Sequence, residues 1–77
     1  MNLRLTRYDK NCWRIEDEDG VVHYMALALS NGRWSLVDNS DRRVTQTTFD
    51  KPQAAYDEAK IIDEARRSST TVDGHGL

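Results

Sequence analysis

The residues able to do chemistry are few, and their spacing does not assemble them. Glu16-Asp17-Glu18-Asp19 is the densest charge in the chain. Carboxylates at a turn are hard oxygen ligands, but a calcium loop collects its oxygens over about 12 residues and closes on a downstream glutamate. This tetrad is shorter and lacks that glutamate, so it reads as a solvated turn. Its other use would be as an acidic knob that imitates phosphate for a basic partner. His23 and His75 lie far apart, whereas zinc needs clustered ligands. Cys12 is the single cysteine; it is expected to face away from His23, with no third group to orient a nucleophilic pair. His23 itself is expected on a strand, partly buried near a sheet edge. Asp38, Asp41 and Asp50 fall where turns and helix caps use aspartate for backbone reasons, and no glycine-rich phosphate loop occurs. The expectation is a chain with no catalytic residue, metal site, cofactor or small-molecule substrate, and not an enzyme.

Arginine and tyrosine are the chemistry that remains. Tyr8, Arg14, Tyr24, Arg33 and Arg43 fall at positions that can share one face of a sheet, and they are the candidate binding residues. Arg14 is expected over Tyr24, with Ala26 and Ala28 leaving a shallow trough beside it. The simplest reading is a solvated sheet face, with Arg4–Glu16 as a cross-strand ion pair. Tyr and Arg are also enriched at protein interface hot spots, which favours a protein partner or a homodimer. A nucleic-acid platform is the alternative, since bases stack on such residues. The net charge of −2, with no RNP-like motif and no lysine cluster, weighs against it.

The elements that would carry this face follow from the apolar pattern. Seventy-seven residues, 38% hydrophobic and 31% charged, make one domain near the size where burial barely offsets chain entropy. One cysteine gives no internal disulfide, which suits a reducing compartment. The N-terminus lacks the apolar core of a signal peptide, and Val21–Leu29 is too short to cross a bilayer. A soluble cytoplasmic protein, away from membranes, is the expectation.

Val21–Val37 organises the rest: two apolar runs flank Asn31-Gly32, a tight-hairpin signal. Upstream, Leu3–Tyr8 and Cys12–Asp17 alternate as strands do. Asp17-Glu18-Asp19-Gly20 leaves two registers open. A two-residue turn would pair Trp13 with Ala26. A three-residue loop ending in a left-handed Gly20 would pair Trp13 with Met25 and Ile15 with His23. The second gathers Leu3, Leu5, Trp13, Ile15, Met25, Leu27, Leu29, Trp34 and Leu36 on one face and is the expected register. A fifth strand, Arg42–Phe49, would place Val44 beside Leu36, with its Thr-rich middle at a sheet edge. Asp50 should cap a helix from about Lys51 to Arg67. That helix would bury Ala55, Ala59 and Ile62, flanked by Tyr56, Ile61 and Ala65, and carry an Asp63–Arg67 pair.

The run Gly32-Arg33-Trp34-Ser35-Leu36-Val37-Asp38, then Phe49-Asp50 and a helix with Ala55 and Ala59, resembles a theme of small bacterial and phage proteins, in which a tryptophan-bearing hairpin leads into a helix. Chains of this type include phage-encoded or mobile-element inhibitors of host defence, anti-CRISPR proteins among them. The resemblance implies non-catalytic binding to a host protein and carries over no residue. The expected fold is α+β: an antiparallel meander of about five strands with one C-terminal helix on one face. The domain would span residues 1–67, with a flexible tail over 68–77.

Overall fold

The computed structural model describes residues 2–75, with side chains described through residue 67. Four strands, β1 (Arg4–Asp9), β2 (Cys12–Glu16), β3 (Val22–Ala28) and β4 (Trp34–Asp38), are followed by one helix, α1 (Pro52–His75). The sheet is antiparallel throughout, in the order β1-β2-β3-β4. The architecture is α+β, as the apolar pattern implies, with four strands rather than five.

The same loop recurs three times. In residues 17–21, 29–33 and 38–42 the first N–H donates to the fifth carbonyl, at 3.0, 2.7 and 2.8 Å, and the fourth N–H donates back to the first carbonyl at 3.0–3.1 Å. The fourth residue is left-handed each time: Gly20 at φ 82°, Gly32 at φ 82° and Asp41 at φ 63°. Asparagine and aspartate side chains finish these loops. Asp17 Oδ1 accepts from the N–H of Asp19 (2.8 Å) and Val21 (3.1 Å), and Asp38 Oδ1 accepts from Ser40 (2.8 Å) and Arg42 (3.1 Å). Asn31 Oδ1 accepts from Arg33 at 3.0 Å. Asn31-Gly32 is therefore part of a three-residue loop, not the two-residue turn that the dipeptide suggests.

These loops decide which way β3 faces. Trp13 pairs with Ala26 and Ile15 with Tyr24, but Glu16 pairs with Val22, so His23 is an extra residue on β3. The three-residue loop at Gly20 is present as expected; the bulge at His23 then undoes its shift, and the expected Trp13–Met25 and Ile15–His23 pairs do not form. On the other side Ala26 pairs with Leu36 and Ala28 with Trp34. A one-residue slip inverts every side chain of a strand. Tyr24, Ala26 and Ala28 accordingly turn toward the helix, and Met25 and Leu27 turn away from it.

The inversion has a packing cause. Ile15, Ala26, Leu36, Ala55 and Ala59 are all fully buried, with Tyr24 at 3% exposure. Alanines on both sides of the contact let α1 lie close on β3, while Leu5, Trp13, Trp34, Phe49 and Ile62 wall the cluster. A larger residue at position 26 would hold the helix off and open gaps around it. Ile61, expected on the flank of the buried stripe, is 62% exposed.

The segment expected as the fifth strand touches β4 at three points without forming a ladder. Asp38 N–H donates to Arg42 (2.8 Å), Val44 N–H to Leu36 (3.1 Å), and Trp34 and Phe49 exchange both bonds at 2.8 Å. Val44 thus lies beside Leu36 as expected. Between Val44 and Phe49 the chain loops out, because Thr45 Oγ1 takes the Thr47 N–H at 3.2 Å and Arg33 grips Thr48. Side-chain hydroxyls that bond the local backbone compete with a ladder.

Helix α1 opens at Pro52, where the missing N–H costs nothing. The carbonyl of Lys51 accepts from Ala55 at 3.5 Å, so Lys51 rather than Asp50 holds the cap position. The helix runs past the expected stop at Arg67 to His75. The flexible tail expected over 68–77 lies, in its side chains and last two residues, outside the described residues. Among the described residues no helix is long and apolar enough to cross a membrane.

Candidate functional site

The helix occupies one side of the sheet, and the sequence candidates are expected on the other. Register places Arg4, Glu16 and Val22 in one row across this outer face, and Thr6, Arg14, Met25 and Val37 in the next. Cys12, Leu27 and Ser35 form a third row, and Arg43 bridges Val37 beyond β4. Ser35 and Val37 are buried at 4% exposure, and Met25 and Leu27 are half-buried. Ser35 and Val37 are covered within the chain itself, so Met25 and Leu27 carry the apolar surface at the centre of this face, with arginines and a tyrosine around them. Interfaces share that anatomy of apolar core and polar rim.

The rim is ordered by pairwise contacts. Tyr8 is 61% exposed, and the Arg14 guanidinium lies 4.0 Å from the centre of its ring. A bulge at Tyr8, between the Arg7–Trp13 and Asp9–Cys12 pairs, accompanies this stack. Arg4 meets Glu16 at 3.3 Å, the ion pair expected from sequence, and Thr6 donates to the same carboxylate oxygen at 3.5 Å. Arg43 donates to the Gln46 carbonyl at 3.3 Å.

The five sequence candidates separate on this geometry. Tyr8 and Arg14 come together, and Arg43 shares their face. Arg33 binds Thr48 through Nε (2.6 Å to Oγ1) and Nη2 (2.8 Å to the carbonyl), so it clamps the segment after β4. Tyr24 lies on the opposite side, where its hydroxyl donates to Asp63 Oδ1 at 3.3 Å. Burial pushes the Tyr24 phenol up, with the Asp63 charge adding to it. The expected Arg14–Tyr24 stack is thus replaced by Arg14–Tyr8, and Ala26 and Ala28 form no outer trough. Sequence pattern alone places Met25 and Leu27 in the core; the register puts them on the outer face. The spacing Ala26-x-Ala28 matched to Ala55 and Ala59 is the signal that finds the helix-facing side instead.

Two further carboxylates are held by their surroundings. The Asp17 carboxyl sits below the ordinary aspartate range, chiefly through its bond with His23, helped by the Val21 and Asp19 N–H groups and opposed by burial. Asp38 is lowered by the N–H groups of Arg42 and Ser40. The Cys12 thiol is raised, first by burial and then by nearby Asp9. A raised thiol is a poor nucleophile at neutral pH. Among the described residues no three or more His, Cys, Asp or Glu side chains group as metal ligands do.

A groove of about 330 Å³ runs between the N-terminal segment and α1, lined by Asn2, Leu3, Tyr56, Lys60, Asp63 and neighbouring charged residues. Its charges are largely engaged: Lys60 lies over the Tyr56 ring at 4.6 Å, and Asp63 meets Arg67 at 3.2 Å, the i,i+4 pair expected from sequence. Tyr56 closes its floor by donating to the Leu3 carbonyl at 2.6 Å.

Compared with family models, curated proteins and solved structures, the chain matches none of them.

Proposed function

We propose that this chain is a small non-enzymatic interaction domain of the cytoplasm that binds a protein partner, or a second copy of itself, through the helix-free side of its sheet or its edge. The single observation that supports this reading is the outward orientation of Met25 and Leu27 on the central strand, within a rim of Tyr8, Arg14 and Arg43. Two neighbouring apolar side chains on one sheet face, ringed by arginines and a tyrosine, match the apolar centre and polar rim of protein interfaces. A rigid scaffold presenting such a face needs no catalytic group, which is also all that an inhibitor masking a host protein's surface would require.

Nucleic-acid binding is the weaker alternative. Tyr24 is turned inward, so stacking on this face falls to Tyr8, already covered by Arg14.

Light scattering at two salt concentrations, with and without a random single-stranded oligonucleotide, tests the reading, using the wild-type chain and Met25→Glu. A salt-insensitive dimer abolished by Met25→Glu supports self-association. A wild-type monomer that pulls down a protein which Met25→Glu fails to hold supports a heterologous partner. Mass gained only with oligonucleotide, and lost as salt rises, overturns it in favour of nucleic acid.

A further inference from the structure

The outer face ends at β1, which forms an open edge of the sheet. Every residue of this strand except Leu5 is exposed. Beyond it no strand pairs among the described residues, so backbone N–H and C=O groups face outward along the edge. Such a row is a template for another strand.

The charges along this edge select the partner. Arg4, Arg7 and Lys10 lie on it or in the turn that ends it, and Arg14 stands on the next strand. Of the nearby acids, Glu16 is paired with Arg4 and accepts from Thr6, Asp9 Oδ1 accepts the Asn11 N–H at 2.7 Å, and Glu18 Oε2 accepts the Asn2 N–H at 2.7 Å. Arg7 and Lys10 carry no ion pair among the described residues. An acidic strand meets the opposite sign.

Register gives the pattern of that strand. Leu5 and Arg7 point to the helix side, as their partners Ile15 and Trp13 do, and Leu3 and Leu5 pack against the core cluster. An antiparallel strand along β1 would set an acid opposite Arg7 and then, two residues on, an apolar side chain opposite Leu5. The bulge at Tyr8 stops a regular ladder there. We propose that β1 accepts an extended acidic segment of a partner protein, patterned acid-x-apolar, as a fifth strand. This rests on the reading of the chain as an interaction domain and narrows its edge to one partner chemistry.

Fluorescence anisotropy of the full chain tests it, with a labelled peptide of repeating Glu-Thr-Val-Thr against one of repeating Lys-Thr-Val-Thr, which place the charged residue and valine two apart on one face. The glutamate peptide is expected to bind at least tenfold more tightly, and Arg7→Glu with Lys10→Glu to reverse the preference. N-methylation of alternate peptide amides should abolish binding, as loss of the backbone ladder requires. Equal affinity for both peptides, indifference to N-methylation, or binding unchanged by the edge substitutions would overturn the proposal. Met25→Glu keeps the two ideas apart: it leaves peptide binding at β1 unchanged even where it removes a partner from the outer face.

Discussion

The Nε2 atom of His23 lies 2.8 Å from Oδ2 of Asp17, six residues back along the chain. An ionised carboxylate can only accept, so Nε2 carries the proton of this bond. The other oxygen of the same carboxylate takes the Asp19 and Val21 N–H groups. One side chain thus closes the loop and anchors the bulged residue that sets the register of β3.

Acid should therefore weaken this hairpin. The folded state holds the Asp17 carboxyl below its ordinary value, chiefly through His23. Its contribution is complete above the unfolded aspartate value of about 3.9 and is lost as pH falls through the lower folded value. Asp38 adds a second contribution of the same sign through the Arg42 and Ser40 N–H groups. Acid unfolding followed by tryptophan fluorescence should be shallower below about pH 4 in Asp17→Asn, which keeps an acceptor but not the titration. An unaltered acid limb would remove Asp17 from this role.

Two loop substitutions should move stability in opposite directions. Gly20 sits at φ 82° with nothing within 4 Å of a built Cβ, so Gly20→Ala meets only backbone strain. A loss of about 1 kcal/mol is expected in urea unfolding. Asp41 occupies the equivalent position at φ 63° with a side chain. Asp41→Gly relieves that strain and should gain up to about 1 kcal/mol, less the entropy that glycine adds to the unfolded chain. Effects of the same sign would contradict the equivalence of the two loops.

Neighbouring residues of β3 should differ sharply in what they tolerate. Ala26 is fully buried against Ala55 and Ala59, whereas Leu27 is half-buried on the far side. Ala26→Leu should cost about 1–3 kcal/mol by overpacking. Leu27→Ser should cost less than Ala26→Leu, as measured by thermal unfolding. The reverse order would restore the register in which Leu27 faces the helix.

That register marks the limit of what the sequence discloses. Four strands of the expected five, the helix start to within a residue, the left-handed Gly20 and the Arg4–Glu16 and Asp63–Arg67 pairs follow from alternation, turn chemistry and helical spacing. The bulge at His23 leaves no trace in periodicity; what accompanies it is a bond between two side chains, His23 and Asp17. Gathering the largest apolar residues on one face then points the wrong way, since the strand under the helix needs the smallest. The interruption after Val44 is hidden for a related reason: Thr45 and Thr47 suit a strand by type, yet their local hydrogen bond takes the backbone out of the ladder. Of the candidate site, Tyr8, Arg14 and Arg43 were legible because β1, β2 and the position of Val37 did not depend on β3. Tyr24 was not.

Tyr24 supplies the last expectation. Its hydroxyl donates to Asp63 Oδ1 at 3.3 Å, and Asp63 is 7% exposed. The second oxygen of that carboxylate is buried, without a hydrogen bond, and meets Arg67 as an ion pair at 3.2 Å. Tyr24→Phe removes the donor and leaves Oδ1 without it in the interior, at a cost of about 1–3 kcal/mol. Tyr24→Phe with Asp63→Leu removes both polar partners and should cost less than the sum of the single changes, which a double-mutant cycle in urea measures. Binding at the outer face should be the same in Tyr24→Phe as in the wild type under conditions where both are folded. A specific loss of binding without a loss of stability would return Tyr24 to the docking surface and overturn the assignment of faces.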